Sequence, residues 1–159
     1  MTVRPIAELI DRHAAALVLY ARQWCAAPED VVQEAFCRFI VQRPEPADPA
    51  AWLFRVVRNA AMDAGKADRR RRQREERVAR VEWFAEAAVD GLDAGAATAA
   101  LGALPPEQRE VIVARLWGGL KFEQIAEAAS CSVSSAHRRY EAGISALWER
   151  LGVECPKKT

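Results

Sequence analysis

The sequence has little that would anchor a chemical reaction. Histidine occurs only at His13 and His137, and neither has an evident acid partner. There is no glycine-rich phosphate loop, no nucleophile elbow and no metal-ligand spacing. An enzyme is therefore not expected, and neither is a cofactor or a metal. The four cysteines, Cys25, Cys37, Cys131 and Cys155, show no C-x-x-C pairing. They read as reduced thiols, most of them packing residues. A zinc site from His13, Cys25 and Cys37 fits no established ligand spacing. No stretch approaches the roughly 18 apolar residues of a membrane span. The start, Met1-Thr2-Val3-Arg4-Pro5, lacks the apolar run of a signal peptide. A cytoplasmic protein without membrane insertion is expected. Strand alternation, internal repeats and a long dimerisation heptad are also missing.

What is present is helical and unevenly charged. The 159 residues are 51% hydrophobic and 28% charged, enough for one ordinary domain or two small helical ones and too apolar for a disordered chain. The net charge of +1 conceals a gradient. Residues 66–80 hold 8 basic and 3 acidic residues, a net of +5, and residues 81–100 hold 4 acidic residues and no basic one. Neighbouring stretches of opposite charge point to separate tasks.

Ile6, Leu9, Ile10, Ala14, Leu17, Val18 and Ala21 recur at helical spacing. Pro28 suits the first turn of a second helix, with Glu29 and Asp30 complementing its dipole and Val31, Val32, Ala35, Phe36, Phe39 and Ile40 as its apolar face. Pro44, Pro46 and Pro49 make residues 43–50 a stiff loop. A third helix starts near Pro49, with Leu53, Val56, Val57 and Ala60 facing the core, and Gly65 marks a candidate break before the arginines. Residues 81–100 read as a linker with some fractured helix, in which Trp83 and Phe84 would dock on a neighbouring surface. Pro105-Pro106-Glu107 opens a helix that Gly118-Gly119 ends. Phe122 to Ala129 forms a short helix, and Ser130-Cys131-Ser132 a tight turn. Ser132 caps a last helix, whose buried stripe is Ala136, Tyr140, Ile144, Leu147 and Leu151. The expected fold is all-α: a helical domain over residues 1–80, a flexible linker over 81–100, and a C-terminal helix-turn-helix domain over 101–159.

Three constellations carry functional content. The last two helices have the helix-turn-helix layout, with Ser134, Ser135, His137, Arg138 and Glu141 opposite the apolar stripe. Arg138 suits guanine or phosphate, and the serines and His137 suit base edges or backbone. A plain helical hairpin with a wet surface shows the same pattern. Asp30, Gln33 and Glu34 share a flank fit for a basic partner surface, as they would on an ordinary soluble helix. Trp52, Arg55, Arg58, Asn59 and Asp63 combine a ring that stacks bases with charges that hold a backbone. A core tryptophan beside surface charge looks alike.

In this order and spacing the residues resemble a sigma factor of the sigma-70 superfamily, extracytoplasmic-function group. Pro28-Glu29-Asp30-Val31-Val32-Gln33-Glu34-Ala35-Phe36 resembles the family's region 2.2. Trp52-Leu53-Phe54-Arg55-Val56-Val57-Arg58-Asn59, with Asp63 and the arginines, resembles regions 2.3 and 2.4. Leu104 to Val111 resembles the start of region 4, and Phe122 to Ala128 is similar to its first helix-turn-helix helix. The resemblance implies binding of core RNA polymerase: Asp30, Gln33 and Glu34 on the beta-prime clamp helices, and the beta flap as a second contact. It implies minus-ten melting and capture of an extruded base by the loop 43–50 with Trp52, Arg55, Arg58, Asn59 and Asp63. Arg69 and Arg70 would hold the backbone upstream, and Ser134, Ser135, His137 and Arg138 would read the minus-thirty-five duplex. The acidic linker would thread the RNA-exit path, and an anti-sigma factor is a further partner. Ser130 stands where the family's turn has glycine, and Cys131 where it has a bulky aliphatic. Ala136, Tyr140 and Gly143 replace valine, leucine and alanine, and His137 replaces a basic residue. Two other readings remain: a stand-alone helix-turn-helix regulator, and a sigma-like interaction protein that starts no transcription.

Overall fold

The computed structural model describes residues 3–75 and 94–152, and among them seven helices and no strand. Helices α1 (Val3–Ala21), α2 (Pro28–Val41) and α3 (Pro49–Glu75) pack on one another as an N-terminal unit. Helices α4 (Ala94–Gly102), α5 (Pro106–Leu116), α6 (Phe122–Ala128) and α7 (Val133–Leu151) form a C-terminal one. The expected all-helical class is what the chain adopts. Of the residues expected to be buried, Leu17, Phe36, Phe39, Leu53 and Val57 are so in the first unit and Val111, Ile112, Ile125 and Ala136 in the second, whereas Tyr140, Ile144, Leu147 and Leu151 of the expected stripe on the last helix are only half-buried and Ile10 and Ile40 are exposed. The expected docking of Trp83 and Phe84 lies outside the described residues.

The helix starts follow local chemistry. Pro28 sits in the first turn of α2 with Glu29 and Asp30, where a missing N–H costs nothing and negative charge meets the positive end of the dipole. Asp48 caps α3, its Oδ1 accepting the Ala51 N–H at 3.0 Å. The stretch expected as a linker with some fractured helix ends in an ordered one, α4, which takes in its residues 94–100 and packs against α7.

One glycine acts differently from its sequence reading, and a second sits at a close helix contact. Gly65 does not break α3, which continues to Glu75. A Cβ at Gly65 would stand 2.0 Å from the Trp24 carbonyl oxygen, so the absent side chain lets α3 pass flush against the turn after α1. Gly143, in the middle of α7, is buried, and a Cβ there would stand 2.6 Å from Ile112 Cδ1. The helix-propensity cost of about 1 kcal/mol is set against a close approach of α5 and α7.

His13 serves packing. It is buried edge-on to Phe54, with ring centroids 6.4 Å apart. Burial lowers its pKa, Arg12 adds to this, and Asp48 opposes it. Cys25, Cys37 and Cys131 are free thiols. Among the described residues no three His, Cys, Asp or Glu side chains converge as metal ligands, and no helix is long and apolar enough to cross a membrane.

The Gly65 contact is testable. Gly65→Ala should lower stability by about 1–3 kcal/mol through overpacking, although alanine favours a helix by propensity. Urea denaturation followed by far-UV circular dichroism measures it, and a gain in stability would show that Trp24 does not hold α3 there.

Candidate nucleic-acid and protein interfaces

On α2 the inward stripe of Val32, Ala35, Phe36 and Phe39 turns Asp30, Gln33 and Glu34 outward, and all three are exposed. Glu34 accepts from Arg38 Nε at 2.9 Å across one helical turn. Both side chains are 58% exposed, so the pair is worth only about 0.3–0.5 kcal/mol and leaves Glu34 available to a competitor.

On α3, Trp52, Arg55, Asn59 and Asp63 follow one another at three- and four-residue steps along one flank. Trp52 is half-buried, its ring 5.6 Å from that of Phe39. Asn59, Asp63, Arg69 and Arg70 are exposed, and Asp63 has Lys66 Nζ at 3.9 Å. Farther along, a cavity of about 160 Å³ brings Arg69 and Arg72 beside Arg22, Trp24, Cys25 and Gly65. The loop before α3 contains a cis Arg43–Pro44 peptide.

Arg55 and Arg58 are engaged across the seam between the two units. Arg55 pairs with Glu127 of α6 at 3.1 Å. Arg58 grips both oxygens of Glu110 on α5, Nε to Oε1 at 2.5 Å and a terminal nitrogen to Oε2 at 3.3 Å. The Tyr20 hydroxyl donates to the same Oε1 at 2.7 Å, and the Arg58 guanidinium lies 5.9 Å from the Trp24 ring. Gln124 of α6 donates to Asp48 Oδ2 at 2.7 Å. The Glu110 side chain is only 3% exposed and that of Arg58 19%, so removing either partner strands a buried charge at a cost of about 3–5 kcal/mol. Burial works against the Arg58 charge, but the Glu110 hydrogen bond and charge outweigh it and raise the pKa. Burial, then the charge of Glu110 and its hydrogen bond, push the Tyr20 pKa well above 10.

In the C-terminal unit α6, a four-residue turn and α7 form a helix-turn-helix. The Ser132 Oγ accepts the Ser135 N–H at 3.1 Å, so the expected cap is present. Ser135 is half-buried and tied into that cap, and its Oγ also accepts from Arg138 at 3.3 Å. Ser134, His137 and Arg138 are exposed. His137 is angled over the Phe122 ring at 4.6 Å and lies 3.7 Å from Glu141. The turn keeps a left-handed residue without glycine: Ser130 has φ 52°. The Cys131 N–H bonds to the Ala126 carbonyl at 3.0 Å and the Ser130 N–H to the Glu127 carbonyl at 3.4 Å. Those two bonds make a Schellman close, which holds the serine in a conformation costing about 1–2 kcal/mol.

Sequence reasoning did not single out Tyr20, Glu110 or Glu127. One signal pointed to Glu110. Val111, Ile112, Val113 and Ala114 are apolar in succession, which an amphipathic surface helix avoids. A helix buried on every side must also bury its acid, and α5 buries Arg109 through Ala114 without a gap.

Comparison with known proteins places both units. Residues 9–75 match the family described as Sigma-70 region 2, and residues 94–147 match Sigma-70, region 4. The chain is 28% identical over 145 residues to the ECF RNA polymerase sigma factor SigJ of Mycobacterium tuberculosis (strain ATCC 25618 / H37Rv). That match covers 82% of this chain and 45% of SigJ, so the chain spans about half the length of that relative. Two solved structures share the fold. One is the sigma factor RpoE in complex with the anti-sigma factor NepR from Bartonella quintana, with TM-score 0.75, 23% identity, and 94% of this chain and 97% of that one covered. The other is CnrH in complex with the cytosolic domain of CnrY, with TM-score 0.60, 24% identity, and 95% and 90% covered.

The Tyr20 contact predicts an alkaline limit. A folded pKa raised above the unfolded value near 10 contributes stability that is complete below pH about 10 and is lost as pH rises towards the folded value. Urea titrations from pH 8 to 11 should show that decline in the wild type and a flatter profile in Tyr20→Phe. The variant should also be about 1.5–3 kcal/mol less stable at pH 8, having lost a hydrogen bond to a charged acceptor. Parallel profiles would contradict a buried Tyr20 hydroxyl.

Proposed function

Because the chain belongs to the sigma-70 family, with regions 2 and 4 in its two helical units, we propose that it is an alternative sigma factor of the extracytoplasmic-function type. It binds core RNA polymerase and directs promoter-specific transcription initiation, a recognition role without a chemical step. The observation that carries this is the presence, in one chain, of an acidic α2 flank, an aromatic and arginine-bearing α3, and a capped helix-turn-helix.

In this reading Asp30, Gln33 and Glu34 meet the beta-prime clamp helices, and region 4 meets the beta flap. Trp52, Arg55, Arg58, Asn59 and Asp63 engage the opened minus-ten element, with Asp48 and its loop beside them. Opening duplex costs a few kcal/mol per unstacked step, which stacking and charge at this face offset. Arg69 and Arg70 hold the backbone upstream. Ser134, His137 and Arg138 read the minus-thirty-five duplex, and Ser135 supports them through the cap. The protein works in the cytoplasm, where its polymerase is. The complex of one structural relative with an anti-sigma factor supports an inhibitor of the same kind here. A stand-alone regulator would leave the α2 and α3 features without a task.

Size-exclusion chromatography with cognate core RNA polymerase tests the reading. The wild type should co-elute, and Asp30→Ala combined with Glu34→Ala should not. Wild-type failure to bind an active core would sink the proposal. In the assembled holoenzyme, Arg138→Ala should weaken binding to promoter duplex by about 1–3 kcal/mol if the arginine forks onto a guanine. Unchanged affinity would remove Arg138 from the reading face.

A further inference from the structure

We propose that Glu110 is an intramolecular latch: it occupies the Arg58 guanidinium that the open form offers to promoter DNA, and thereby sets how much of the free chain is open. The inference rests on the sigma-factor reading for the DNA half of its claim. The latch half stands on the seam itself.

Both side chains that hydrogen-bond Glu110 belong to the N-terminal unit, Tyr20 of α1 and Arg58 of α3. Its carboxylate is 3% exposed, whereas the neighbouring Arg55–Glu127 pair is 41% and 50% exposed and screened by water. The two-point grip of Arg58 on Glu110 is also how a guanidinium holds two phosphate oxygens. One guanidinium cannot do both, so closure of the seam and contact of Arg58 with a DNA backbone exclude each other. Closure is therefore competitive with DNA, and Glu110 is the competitor. Asp48 and Gln124 steady the seam at its rim without touching either DNA-reading arginine. DNA that reaches Arg58 must take the place of Glu110 on its guanidinium.

Glu110→Gln keeps the shape and an acceptor for Tyr20 but removes the charge that Arg58 needs. The full chain is measured by small-angle X-ray scattering and by anisotropy of a fluorescein-labelled mixed-sequence single-stranded 20-mer. Glu110→Gln should raise the radius of gyration and bind the oligonucleotide about tenfold more tightly, within the usual range of intramolecular coupling. Arg58→Gln should open the chain equally but gain no affinity. It also carries the test should Glu110→Gln fail to fold. An unchanged radius of gyration in folded variants overturns the latch. Opening without tighter binding in Glu110→Gln overturns the competition. Failure of the wild type to co-elute with polymerase bears on the sigma-factor reading alone, because seam opening is read without polymerase.

Discussion

One buried carboxylate is the most demanding of the contacts that tie the two halves of this molecule together. Glu110 lies between the Tyr20 hydroxyl and the Arg58 guanidinium, which both donate to it. Charges withdrawn from water are costly, and their attraction repays this only when geometry is good and the remaining lone pairs are satisfied. The fork of Arg58 and the Tyr20 hydrogen bond meet that condition. The constraint reaches outward: α5 must be buried on all sides, α1 must bring Tyr20 to the seam, and α3 must turn one arginine away from solvent. The apolar core, in which residues of both units form one cluster, joins the same two halves.

The seam also divides the α3 face proposed to meet DNA. Asn59 and Asp63 remain on the surface while Arg55 and Arg58 face α6 and α5. Under the proposed function, two of the arginines assigned to DNA are committed to the chain itself while the seam is closed.

Much of this was legible from local chemistry. Pro28, Pro49 and Pro106 mark helix starts because proline fits only a first turn. Ser132 marks the start of α7 because its hydroxyl replaces a missing backbone partner. The helical period placed Leu17, Phe36, Leu53 and Val111 in the core, and the outward flank of Asp30, Gln33 and Glu34 follows from the same arithmetic. What escaped depends on distance along the chain. The partners of Arg58, Arg55 and Tyr20 lie 52, 72 and 90 residues away, beyond the reach of any local pattern. Gly65 was misread, and the neighbour of Gly143 was missed, for the same reason. Propensity describes a helix alone, whereas each of these glycines answers to a neighbour, Trp24 in one case and Ile112 in the other.

The uninterrupted course of α3 has a metrical consequence. Each residue advances about 100° and 1.5 Å, so Gly65 and Arg69 fall on nearly the same meridian as Arg58, two and three turns along. Trp24 confirms the alignment, since its indole lies near Arg58 and it lines the cavity that holds Arg69. Arg58 and Arg69 are then about 16 Å apart along one line of the rod, close to five nucleotide steps at about 3.4 Å per step of a strand. The helix is a ruler as well as a surface: the glycine that keeps it unbroken also keeps its graduations in register.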